Sequence, residues 1–246
     1  MQRSLALLCV AGLGGFALAD TTPVSVTLDN AFLNKYVWRG VNFANGAVYQ
    51  PTLTFGLNGW ALCFWGNYEF TNTNGTRGRF DEIDTDLSYT ASTEGATWTV
   101  GFVNYSFPNT GASDTSEVYG KYTWSQDWSP TVAAYFDVDE AEGFYVSVAA
   151  NRTMEGLTLG GGMPTVDFNY GASIGFGNEK HNDFYYGNRE SALVDWKAFG
   201  TFSFPASQDG TFYVTTAVTG LFDSAHLRGA RNRSNFVFGA GYTLKF

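Results

Sequence analysis

The sequence predicts an all-β chain folded as a single antiparallel transmembrane β-barrel of twelve strands. Three observations point there. Large apolar residues alternate with small or polar ones over runs of about ten residues. The links between runs are alternately short and long, and the last run alternates without a break to Phe246. Composition agrees. The 246 residues are 44% hydrophobic and 17% aromatic but only 15% charged. A mean hydropathy of -0.13 excludes a bundle of membrane helices, each of which needs about twenty apolar residues in a row. The net charge of -9 argues against nucleic acid as a partner, because binding it requires a basic surface.

Taken in order, residues 1–19 place Arg3 before an apolar run from Leu5 to Leu18 and end on Ala17 and Ala19. That is the layout of a secretory signal peptide cleaved after Ala19, which leaves residues 20–246 as the barrel. Cys63 is then the single remaining cysteine, so no intrachain disulfide is expected. Strand-like segments follow at 24–38, 48–57, 60–70, 82–91, 97–107, 116–124, 128–136, 144–152, 157–177, 193–204, 211–221 and 236–246. In the ninth, Phe168, Tyr170, Ala172, Ile174 and Phe176 share one face, while Asp167, Asn169, Gly171, Ser173 and Gly175 share the other. Gly160-Gly161-Gly162 and Pro164 interrupt that segment and leave ten or fourteen strands as alternatives.

Short links such as Asn58-Gly59 and Ser125-Gln126-Asp127 alternate with long polar ones such as 71–81, 108–115, 178–192 and 223–235. An outer-membrane barrel has short periplasmic turns and long outer loops, whereas a soluble sandwich has no reason for the alternation. Trp60, Trp98, Trp124, Trp128 and Trp196 fall near segment ends, where an interfacial girdle would put them. The final segment carries Phe236, Phe238, Tyr242, Leu244 and Phe246 on one face, and resembles the C-terminal strand that such barrels present to the barrel-assembly machinery.

A narrower resemblance lies in Tyr36-Val37-Trp38-Arg39-Gly40, Gln50-Pro51, Phe64-Trp65-Gly66, Glu82-Ile83-Asp84, Tyr105-Ser106-Phe107-Pro108 and Glu117-Val118-Tyr119. In order and spacing, over residues 24–125, these resemble the TorF-type porin family of bacterial outer-membrane barrels. The resemblance implies an outer-membrane location and a porin-like role, and brings no catalytic residues.

Taking the apolar parity as lipid-facing puts Lys35, Arg39, Glu69, Glu82, Asp84, Asp86, Glu117, Lys121, Asp195 and Lys197 inside the lumen, toward its outer mouth. Four positive and six negative groups predict a mild cation preference. Lys35, Arg39, Glu82, Asp84, Glu117 and Lys121 are expected at the constriction, with Arg39 facing the acidic pair Glu82 and Asp84. Arg–carboxylate pairs across so narrow a lumen could equally close it.

Gly171-Ala172-Ser173-Ile174-Gly175 matches the nucleophile pattern of hydrolases, but that pattern needs a sharp strand-to-helix turn and here lies inside an alternating run. His181 and His226 both fall in expected outer loops, far from Ser173. His226 with Arg228, Arg231 and Arg233 would form a basic loop able to touch lipopolysaccharide. The expectation is therefore a non-enzymatic passive channel for small hydrophilic solutes or ions. It needs no cofactor and no metal, and its partners are outer-membrane lipid and lipopolysaccharide. The rivals are a non-conducting structural barrel and a soluble exported sandwich that binds carbohydrate.

Overall fold

The computed structural model describes residues 23–158, 160–161, 165–222 and 233–246. The elements are β1 (Ser25–Leu33), β2 (Tyr36–Trp38), β3 (Val41–Ala44), β4 (Val48–Leu57), β5 (Trp60–Glu69), β6 (Arg79–Ser92), β7 (Ala96–Ser106), β8 (Thr115–Trp124), β9 (Thr131–Asp137), β10 (Phe144–Leu157), β11 (Val166–Gly177), α1 (Glu179–Tyr186), β12 (Ala192–Pro205), β13 (Gly210–Leu221) and β14 (Ser234–Lys245). Twelve of them, β1 and β4 to β14, close into one antiparallel barrel. Closure runs through the β1–β14 pairing, from Thr27 opposite Lys245 to Leu33 opposite Gly239. No strand of the barrel is left with an unpaired edge, the condition hydrocarbon imposes on a sheet.

Alternation does what the sequence implies. Phe236 and Phe238 are exposed on the outside of β14, while Asn235 between them and the loop is buried inside. The same parity exposes Leu87, Val100, Phe102, Val148 and Ile174. Near the end with the short turns, outward rings form a belt. Trp60 lies 5.1 Å from Tyr89, Tyr89 lies 5.9 Å from Trp98, Trp128 lies 5.4 Å from Tyr170, and Phe168 stacks on Phe202 at 4.3 Å. Such rings suit a headgroup interface. A cylinder with its bulky apolar residues on the outside has no two-layer core, which rules out the soluble sandwich.

Several strand boundaries differ from the expectation by a few residues, and two of the differences have a visible cause. The first segment does not continue to residue 38. The Asn34 side chain donates to the Phe236 carbonyl at 3.2 Å and accepts from the Phe238 amide at 2.9 Å, so it takes over the β14 ladder while the main chain leaves the wall. Residues 36–44 then form a separate two-stranded hairpin, β2–β3. The ninth segment starts at Val166, because Leu157 belongs to β10, whose register shifts between Met154 and Leu157. Residues 162 and 164, expected to mark an irregularity, lie outside the described residues, as do residues 1–19 and 223–232.

Candidate functional site: the lumen mouth

The β2–β3 hairpin turns on Arg39 and Gly40, whose φ angles of +44° and +77° are those of a two-residue hairpin turn with left-handed residues. Gly40 adopts that conformation freely and also lies against Leu221 and Asp195, where a side chain has no room. Arg39 does not favour it, and a bulky residue so held marks a functional constraint.

What holds Arg39 is a set of carboxylate, aromatic and imidazole partners. Its two terminal nitrogens donate to Glu117 Oε1 at 2.7 Å and Oε2 at 2.8 Å, a bidentate pair across the lumen. The two side chains are 7% and 1% exposed. The guanidinium lies over the rings of Trp38 at 4.1 Å, Tyr145 at 4.0 Å and Tyr135 at 4.8 Å. Tyr105 donates its hydroxyl to Glu117 at 2.8 Å. Burial alone would lower the affinity of Arg39 for its proton, and the Glu117 carboxylate more than reverses this. A planar cation that stays charged is what such a stacked, forked arrangement requires.

Helix α1 covers the hairpin from the other side. Asn178 caps its start by accepting from the His181 amide, and Gly187 ends it in a left-handed conformation. Tyr186 donates its hydroxyl to the Arg39 carbonyl at 2.9 Å. His181 is fully buried, with Nε2 3.3 Å from Arg39 and Nδ1 3.1 Å from Asn182 Oδ1. Burial, and then the Arg39 charge, push its imidazole down to about 4. The neutral ring stacks on Tyr145 at 5.2 Å.

Around this latch lie two cavities. The deeper one, about 280 Å³, is lined by Cys63, Trp65, Asp84, Asp86, Lys121 and others in mid-barrel. The one at the loop end, about 640 Å³, is lined by the hairpin, α1 and the loops. Trp38 and Tyr105, whose rings meet edge-on at 6.0 Å, line both and stand where the two adjoin.

The ten expected lumen residues divide accordingly. Arg39 and Glu117 form the latch, so Arg39 does not pair with Glu82 and Asp84. Glu82 instead accepts from Tyr36 at 3.1 Å, and Asp84 lines the deeper cavity with Asp86 and Lys121. The cause is reach: the hairpin carries Arg39 across the barrel toward β8, a displacement no strand register predicts. Glu69 is buried and binds the Thr73 amide at 3.0 Å and the Thr71 and Thr76 hydroxyls, which makes it a tie for its own loop rather than a free pore charge. Asp195 accepts from Tyr145 at 2.9 Å. Lys197 faces the lumen with its amine 5.6 Å from the Phe199 ring. Lys35 sits in the link between β1 and β2 and forms no ion pair with a described residue.

His181 lies, as expected, in the outer link between β11 and β12, but that link folds as α1 and carries the ring into the lumen mouth beside Arg39. Ser173 lies in mid-strand opposite Ala149 and Lys197, with no strand-to-helix turn to raise it. His226, Arg228 and Arg231 lie outside the described residues. Sequence reasoning missed the hairpin, α1, and the tyrosines 105, 135 and 145. The helix had a legible signal, an Asn cap, Glu179 in the first turn and Gly187 just past the end. The hairpin had one too, in short apolar runs on either side of Arg39-Gly40.

No protein-family model matches the chain, and no curated protein matches it. Among solved structures it is similar to the NanC porin, at 14% identity over 89% of this chain and 100% of that one, with a TM-score of 0.56. The fold is that of a porin-like barrel. The KdgM porin is also similar, at 12% identity over 91% of this chain and 99% of that one, with a TM-score of 0.48.

Proposed function

We propose that this chain is an outer-membrane channel for passive diffusion of small hydrophilic solutes or ions, narrowed at its mouth by the Arg39 hairpin. The observation that carries this is the pair of adjoining cavities along the lumen, lined by Asp84, Asp86 and Lys121 below and by Glu82 and Asp81 above. Charged groups on the inner face of a barrel with an apolar exterior have no role in packing against lipid, and bias the passage of ions by sign. The outward aromatic belt supports the membrane location, and the resemblance to TorF-type porins supports the outer membrane. On this reading residues 1–19 are removed on export, lipid and lipopolysaccharide surround the barrel, and the assembly machinery recognises Phe236, Phe238, Tyr242, Leu244 and Phe246.

The test is recording from the refolded chain in planar bilayers. Discrete conductance steps with mild cation preference are expected. Replacing Glu82 and Asp84 together (Glu82→Gln, Asp84→Asn) should reduce that preference, and an unchanged reversal potential in a folded variant would take both residues out of the path. The second reading, a closed barrel, is favoured by the latch itself, since a buried bidentate pair spans the lumen. It predicts no steps for the native chain and steps once residues 36–44 are replaced by a short glycine-serine linker.

A further inference from the structure

The 640 Å³ cavity at the loop end has a lining that fits neither a sealed plug nor a plain aqueous vestibule. Its volume suits a small organic molecule. Seven aromatic rings line it, including Trp38 and Phe43 from the hairpin and Phe184 from α1. Phe43 and Phe184 remain 37% and 50% exposed although they belong to two elements folded over the lumen. Apolar rings left facing a cavity in this way offer area to a ligand.

Charge gives the ligand's sign. Asp81, Glu82 and Glu140 line the cavity, and no lysine, arginine or histidine does so among the described residues. Asp81 accepts from Asn67 at 2.7 Å, a neutral donor that satisfies a hydrogen bond without cancelling charge, and Glu140 is exposed to the loop-end solvent. The nearby guanidinium of Arg39 is already committed to Glu117. Aromatic faces and carboxylates both attract a cation, and the rings favour one that sheds its water easily and carries an apolar body.

We propose that this cavity is a binding site for small organic cations, amines or quaternary ammonium ions with an apolar group, held between Phe43, Trp38 and Phe184 with the charge toward Asp81 and Glu140. As an entry site it rests on the channel reading; as a binding site it does not. The probes are benzyltrimethylammonium, benzyl alcohol and benzoate, titrated by calorimetry into the refolded chain in neutral micelles, with empty micelles as the blank. Benzyltrimethylammonium should saturate one site with a Kd at least about tenfold below that of benzyl alcohol, and benzoate should bind weakest. Phe184→Ala and Glu140→Gln, both at exposed positions and checked for heat-modifiable migration, should each raise that Kd about threefold to tenfold.

Equal affinity for the alcohol or the acid, absence of saturation, or affinity unmoved in both variants would overturn the site. Bilayer recordings on the same preparation keep the two readings apart. Binding without conductance retains the site and removes the channel, while conductance without binding does the reverse.

Discussion

Arg39 occupies a backbone conformation that costs on the order of 1–3 kcal/mol for a non-glycine residue, and keeps it because Glu117 and three rings over-determine the side chain. Removing one member of a buried ion pair leaves the other charged, buried and uncompensated. Arg39→Ala should therefore destabilise the folded barrel by about 3–5 kcal/mol, read as a lower urea midpoint in micelles. The hairpin loses its anchor in the same variant, so single-channel conductance should rise. Arg39→Lys keeps the charge but loses the fork and the flat stacking surface, and should fall between the two. The double change Arg39→Met with Glu117→Leu should recover most of the stability, since an apolar pair of similar volume carries no desolvation cost, yet the latch would no longer be specified. An Arg39→Ala barrel with an unmoved midpoint would mean that Glu117 finds water in the lumen and that the pair is not the structural tie.

Helix α1 shows how an element can depend on a single titratable group. Facing His181 are Arg39 from the hairpin and Tyr145 from β10, with Tyr185 and Tyr186 on its own helix, and Asp137 on β9 acts in the opposite sense to Arg39. The docked imidazole has its pKa lowered to about 4 from an ordinary 6.5. A histidine whose pKa falls on docking binds its proton more weakly there, so docking is fully favoured above about pH 6.5 and weakens as pH falls toward 4. The shift corresponds to about 3 kcal/mol at most. Acidification from pH 7 to 4 should thus loosen α1, measured as faster proteolysis within residues 178–191 and higher conductance. His181→Phe should flatten both responses above pH 4, and an identical pH profile in that variant would place the titration elsewhere. The caps of this helix were present in the sequence, but its docking was not. Gly143, which leaves no room for a methyl group against the His181 backbone, comes from a different loop, and only the closed barrel brings the two together.

At the scale of the whole molecule, legibility follows the range of the forces. Strand parity is written two residues at a time, so the outward Phe236 and Phe238 and the inward Glu117 and Asp195 could be read directly, as could the twelve-strand closure from the rhythm of turns. Arg39 and Glu117 are 78 positions apart and meet across a lumen whose width depends on every strand, so their pairing could not be read. Loop composition also gave no sign of direction, because a polar loop folded into a wet lumen needs the same residues as one facing solvent. The lipid-facing surface is therefore the part of the design most open to a sharp test. Val100 sits near the middle of β7, on the outward parity and 49% exposed. An arginine there, opposite Tyr89 at the inner edge of the belt, has no partner in hydrocarbon and must snorkel to the headgroups, so Val100→Arg should cost about 1–2 kcal/mol in a bilayer. Val100→Leu should be close to neutral. The same arginine variant in detergent micelles, where water reaches the belt more easily, should lose less. If Val100→Arg were as stable as the native chain in lipid vesicles, the exposed apolar face would not be in contact with acyl chains.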